Sequence, residues 1–157
     1  MSTLINQDKF SKYPVAVDYG LTIEQAIGLG RYDWVNESVA RNNFPTERKG
    51  KAELIVELIY FGYKISSNKA LKELDLMGYR PAELHELLAL NEKYYPEIQK
   101  EYPIVALGSI WEDWYGWRRV PALHQDASED NPDLPRLGLP SIRSEWETRW
   151  RFAAVRK

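Results

Sequence analysis

A chain of 157 residues with 44% hydrophobic and 28% charged side chains has the composition of an ordinary globular domain, and its length suits one such domain. Its formal net charge of -2 gives no overall positive field to recruit nucleic acid or anionic lipid. The absence of cysteine removes disulfides, thiolate metal sites and cysteine nucleophiles together.

No apolar stretch reaches the ~18 residues that a spanning helix needs. The start, Met1 to Lys9, has no signal-peptide core. A cytoplasmic chain with no membrane partner is expected, forming one domain over 1–157 with 1–12 as a flexible lead. Tyr13 to Tyr19 alternates with period two and predicts a strand ending at Gly20. Thr22 and Gln25 have the spacing of a capping box, which predicts a short helix from Ile23 to about Leu29. Gly28-Leu29-Gly30 reads as the end of that helix. Residues 31–45 show no clean period and read as a loop with a helical turn.

Gly50 to Gly62 carries apolar residues on both parities, the mark of a long strand covered on both faces towards its end. Ser66-Ser67 caps a helix bearing Ala70, Leu71, Leu74 and Met77, and Gly78 follows as its C′ residue. Pro81 is expected in the first turn of the next helix, with Leu84, Leu87, Leu88 and Leu90 as its buried face. Tyr94-Tyr95-Pro96 breaks that helix, and 97–101 adds a turn. Pro103 to Ile110 predicts a central strand. Asp113 to Trp117 is a tight turn, with Arg118 to Leu123 as the returning hairpin strand and Pro121 placing it near an edge or a bulge. A polar, acidic loop spans 125–135, Leu137 and Leu139 mark a short strand, and Trp150 to Arg156 closes the chain. The order predicts an α+β fold, an antiparallel sheet meander with the helices segregated from it.

The residues Leu71 to Leu74, Met77 to Ala82, Glu86 to Leu90, Tyr102 to Ser109 with Trp111, Arg118 to Pro121 and Arg151 to Lys157 together resemble a family of uncharacterised small proteins of bacterial genomes, notably of uncultured lineages. That resemblance runs from about Tyr13 to the C-terminus and implies no activity. The helix opened by Arg80-Pro81-Ala82, the strand ending in Gly108-Ser109 near Trp111, and the final Phe152-x-x-Val155-Arg156 are also similar to C-type-lectin-like domains. The formylglycine-generating-enzyme relatives and the variable proteins of diversity-generating retroelements belong to that group. The similarity implies paired terminal strands and Trp-rich loops that present a ligand surface. The chain departs from the pattern in lacking cysteines and the lectin calcium motifs, and in having Leu87 or Leu88 where the second helix usually carries a tryptophan, so carbohydrate binding is not implied.

Aromatic residues make up 13% of the chain, and five of its six tryptophans, at 111, 114, 117, 146 and 150, lie in the last third. Arginine is concentrated there too. Tyr, Trp and Arg dominate binding hot spots because they bring large rigid area and planar donors. The candidate ligand surface is therefore Trp111, Trp114, Tyr115, Trp117, Arg118, Arg119, Trp146, Arg149 and Trp150. Trp111 and Trp150 are expected to anchor in the core, and Trp114, Tyr115 and Trp117 to be exposed. Residues 111–157 balance eight basic against eight acidic side chains, which gives no positive track for phosphates, so nucleic acid is not the expected partner.

Asp126, Ser128 and Asp130 match the first ligands of a calcium loop, but Asn131 stands at the sixth position and Leu137 at the twelfth, so a solvated loop is expected and no metal is assigned. His85 and His124 do not make a transition-metal set. Ser109, His124 and Asp126 lack a nucleophile-elbow context. No catalytic residue and no cofactor are assigned. The reading is a non-enzymatic recognition domain for a protein or small ligand. Its alternatives are an enzyme whose carboxylates and His124 assemble only in space, and a variable binding protein of the retroelement type.

Overall fold

Phe10–Asp18 (β1) and Lys51–Ile59 (β3) run antiparallel along their whole lengths, Asp18 facing Lys51. They begin the main sheet of the computed structural model, which describes residues 10–40, 44–94, 98, 102–124 and 134–157. The other strands among these residues are Trp34–Val35 (β2), Ile65–Ser66 (β4), Tyr79–Pro81 (β5), Ile104–Val105 (β6), Trp111–Glu112 (β7) and Arg118–Arg119 (β8). Ala122–His124 (β9), Arg136–Gly138 (β10), Glu145–Trp146 (β11) and Arg151–Arg156 (β12) complete the set. The helices are Ile23–Gly28 (α1), Glu37–Ala40 (α2), Ser67–Leu76 (α3) and Leu84–Tyr94 (α4).

The fold is α+β with a mostly antiparallel sheet, in the order β1-β3-β12-β6-β9-β10-β2, and β5 pairs the far end of β12. The order is more crossed than a sequential meander, and β12–β6 and β10–β2 are parallel pairs. Two small ribbons, β4–β11 and β7–β8, stand outside the sheet.

Neighbouring residues of a strand point to opposite faces, and that rule separates two cores. Val15, Val17, Val56, Leu58 and Ala153 pack with Ile23 and Ala26 of α1 and Leu84, Leu87 and Leu88 of α4. Ile59, Val105, Phe152 and Ala154 turn the other way and meet Ala70 and Leu74 of α3 and Trp146 of β11. Each fully buried leucine contributes ~1.5–3 kcal/mol by leaving water. β3 is buried on both faces only from Val56 onward, where both layers reach it.

Local signals hold where they are strongest. Thr22 and Gln25 close the capping box at 2.9 and 3.1 Å. Ser66 caps α3, and Gly78 leaves it at φ +86°. Leu84, Leu87, Leu88 and Leu90 are all buried.

Other expectations are corrected. Pro81 belongs to β5, opposite Ala154, and α4 starts three residues later. The extended backbone lets Tyr79 donate to Glu57 at 2.8 Å and Arg80 reach Glu86. Pro103–Ile110 contributes only the two residues of β6. After it the Ala106 amide turns to the Pro121 carbonyl and the Gly108 amide to the Ala82 carbonyl. Pro121 sits between β8, in the small ribbon, and β9, which is interior to the main sheet. The first strand starts at Phe10, inside the lead expected to be flexible. The 31–45 loop contains β2 and α2. The calcium-like residues 126, 128 and 130 lie outside the described residues, as do 1–9 and most of the turn at 97–101. No helix among the described residues is long and apolar enough to cross a membrane.

Candidate functional site

The β7–β8 hairpin pairs Trp111 with Arg119 and Glu112 with Arg118. Its turn is organised by Asp113. The Asp113 amide donates to the Trp117 carbonyl at 2.8 Å, and the Gly116 amide donates to the Asp113 carbonyl at 3.0 Å. One carboxylate oxygen accepts from the Tyr115 and Trp117 amides, both at 2.9 Å, while the other accepts from Arg119 Nε at 3.1 Å. Gly116 supplies the positive φ of +81° that the turn requires. Desolvation works to raise the Asp113 pKa, but the hydrogen bonds from Arg119 and from the Trp117 and Tyr115 amides outweigh it and hold the carboxyl below its usual range.

The hairpin is fixed to the body at its base. Trp111 is half-buried against the larger core. Arg119 bridges to Ser141 and donates to the Leu139 carbonyl at 3.2 Å, and the Ile142 amide donates to the Arg118 carbonyl at 2.9 Å. At the tip, Trp114 is 95% exposed, Tyr115 87% and Trp117 45%. The Arg143 guanidinium lies 5.2 Å from the Trp117 ring centre. A polar cavity of 400 Å³ opens beside the tip, lined by Gly116, Arg118, Ile142, Arg143 and the first residues of α3.

The nine residues expected to form one surface are divided by the fold. Trp114, Tyr115, Trp117 and Arg118 form the exposed tip, and Trp111 and Arg119 support it. Trp146 is corrected to core. It is 2% exposed, its indole N–H donates to the buried Ser67 hydroxyl at 2.8 Å, and its ring meets Trp150 and Phe152 edge-on. Trp146 pairs with Ile65 of β4 inside the second core, whereas Trp150 packs against the outside of that core.

Arg149 and Trp150 line a different concavity, a 610 Å³ groove shared with Trp34, Tyr102, Pro103, His124, Leu139, Pro140 and Glu147. Trp34 and Tyr102 were missed in the sequence, since neither lies near the C-terminal cluster of tryptophans. Gly138 also lines this groove, where a Cβ would come within 2.9 Å of His124 Nε2, so the imidazole lies close over β10 and would have to shift for any larger residue.

The remaining reactive side chains have structural partners. The Ser109 hydroxyl accepts the Leu84 amide at 2.7 Å and so caps the start of α4. His85 lies in a 370 Å³ cleft with Asp18, Lys51 and Glu92, and its Nε2 is 3.0 Å from the Leu21 carbonyl. A carbonyl only accepts, so Nε2 carries the proton. Among the described residues no three His, Asp or Glu side chains are grouped to hold a metal ion. No family model, curated protein or solved structure matches the chain.

Proposed function

We propose that this chain is a recognition domain that engages a protein partner with the β7–β8 hairpin tip. The observation that carries this reading is the near-complete exposure of Trp114 and Tyr115 on a turn held in one shape by Asp113. A flexible loop would lose its freedom on binding; a turn already fixed by three hydrogen bonds to one carboxylate has little left to lose. Burying two such rings, at ~25 cal/mol per Å² over ~150–250 Å² each, supplies several kcal/mol. Arg118 and Arg143 beside the tip add planar donors that suit carboxylates at the rim of such a contact.

The test is capture from native lysate with the wild type and the triple variant Trp114→Ala/Tyr115→Ala/Trp117→Ala in parallel, joined to photo-crosslinking from position 115. A partner held by the wild type, crosslinked at 115 and lost by a triple variant with unchanged circular dichroism supports the reading. A triple variant that retains the same partner, or that unfolds, defeats it.

A further inference from the structure

The groove that holds Arg149 and Trp150 shares no lining residue with the hairpin tip or with the cavity beside it. We infer that it is a second binding site, and that it takes an extended, proline-bearing peptide segment carrying an acidic residue.

Shape comes first. A volume of 610 Å³ falls within the ~300–1,000 Å³ range of sites that enclose compact ligands. Three aromatic rings, Trp34, Tyr102 and Trp150, form its walls together with Pro103, Leu139 and Pro140. Such a wall suits pyrrolidine rings, which are apolar, flat-sided and rigid.

Hydrogen bonding then narrows the ligand. The indole N–H groups of Trp34 and Trp150 and the Arg149 guanidinium make no side-chain hydrogen bond within the described residues. All three are donors only. The one carboxylate of the lining, Glu147, already lies 3.8 Å from Lys64. The groove thus sets three spare side-chain donors against a single carboxylate, which is largely exposed and faces Lys64. An ordinary extended peptide offers as many N–H groups as carbonyls, and Glu147 is the one side-chain carboxylate of the lining to meet those donors. A polyproline II segment lacks those N–H groups at each proline and turns its carbonyls outwards, preformed and at low entropic cost. Arg149, exposed at the rim, is matched to an acidic side chain or a terminal carboxylate.

The walls are also held in place before any ligand arrives. Arg136 lies 4.7 Å over Trp34 and 3.6 Å from Asp33, which leaves the opposite indole face and its edge for a ligand. Arg151 is sandwiched between Tyr60 and Tyr102 at 3.9 and 4.1 Å. Trp150 leans edge-on against the buried Trp146 at 4.7 Å.

The probe is a fluorescein-labelled peptide of about ten residues with a Pro-Pro-x-Pro core and a flanking Glu. Two companions carry Ala for each Pro, or Lys for the Glu. Binding is read by anisotropy and by the six indole N–H signals in a nitrogen-15 spectrum. The proline peptide should move the Trp34 and Trp150 signals and leave Trp114 and Trp117 in place. The alanine companion should bind at least ~10-fold more weakly. Trp34→Ala should weaken binding ~10-fold or more, the scale of a hot-spot ring. Arg149→Gln, an exposed change that leaves folding intact, should abolish the preference for Glu over Lys. The hairpin triple variant should bind as the wild type does, which separates this site from the tip. Static Trp34 and Trp150 signals at millimolar peptide, equal binding of the alanine companion, or shifts confined to Trp114 and Trp117 would each overturn the inference.

Discussion

Arg80 and Glu86 form a two-pronged ion pair at 2.9 and 2.6 Å, with the Glu86 carboxylate wholly buried. Tyr19 donates to the same carboxylate at 2.5 Å, and the Glu83 amide at 2.7 Å. Desolvation alone would raise the Glu86 pKa, but the hydrogen bonds from Arg80, Tyr19 and the Glu83 amide outweigh it and hold it below the usual range. Burial, then the bond to Glu86 and its charge, push the Tyr19 phenol up. A carboxyl depressed in the folded state stabilises above its unfolded value of ~4.3, and that contribution fades as the pH falls through the folded value. A raised tyrosine stabilises fully below ~10 and loses its contribution as the pH climbs through the folded value. Thermal unfolding against pH should show both limbs, with Tyr19→Phe flattening the alkaline one and Glu86→Gln the acid one. At neutral pH Glu86→Gln leaves a half-buried guanidinium unpaired, at a cost of about 3 kcal/mol, or roughly 6–12 °C in Tm. Limbs unchanged in both variants would mean that the cluster does not govern the pH dependence.

At Gly108 two backbone segments approach closely. A Cβ at this position would lie 2.6 Å from the Ala82 carbonyl oxygen and 2.7 Å from that of Pro81, both main-chain atoms that cannot swing aside. The Gly108 amide also donates to the same Ala82 oxygen at 2.9 Å, so any retreat breaks a hydrogen bond. Gly108→Ala should cost about 3 kcal/mol in urea titration, at the upper end of overpacking changes. Gly28→Ala is its control. No atom lies within 4 Å of a Cβ there, and the site is helical, so stability should rise by roughly 0.5 kcal/mol. Equal effects would place the close contact elsewhere.

These residues also mark how far the sequence can be read. The Thr22 box, the Gly78 stop and the leucine face of α4 are local patterns, decided within one or two turns of chain, and the structure reproduces them. Partners distant in sequence leave no such trace: Tyr19 and Glu86 are 67 residues apart. β2 is two residues long and exists only because β10 lies beside it in parallel, so nothing around Trp34 announces a strand. Pro81 carries the local mark of a helix start, but pairing with β12 overrides it. The candidate site divides in the same way. Asp113 to Trp117 was legible as a tight turn because its bonds close within the turn. The groove was not, because its walls come from β2, the approach to β6, the end of β10 and the entry to β12.

The hairpin tip should lose its shape without loss of the fold when its organiser is removed. Asp113→Ala frees the Tyr115 and Trp117 amides and releases Arg119 from its carboxylate. Amide exchange at 115 and 117, corrected for intrinsic rates, should quicken at least ~10-fold, while the amides of β3 and β12 keep their protection. In the wild type, because the Asp113 carboxyl sits below its ordinary range, protection at 115 and 117 should persist as the pH falls below ~3.9 and fail only when the carboxyl protonates. Unchanged exchange in Asp113→Ala would leave the turn held by backbone bonds alone.

Two tryptophans should respond in opposite ways to the same substitution. Trp146 fills the second core between Ile65, Phe152 and α3, and its N–H satisfies the buried Ser67 hydroxyl. Trp146→Ala removes the ring from that layer and leaves Ser67 without its donor, so a loss of ~3–5 kcal/mol is expected. Ser67→Ala tests the hydrogen bond by itself: the indole N–H would be buried without an acceptor, at a cost of ~1–3 kcal/mol. Trp114→Ala removes an equally large ring that touches almost nothing, and stability should change by no more than ~0.5 kcal/mol. Chemical denaturation of the three variants decides whether one indole of the C-terminal cluster belongs to the fold and the other is free to meet a partner. A destabilised Trp114→Ala would tie the tip to the core and remove the ring from the proposed recognition surface.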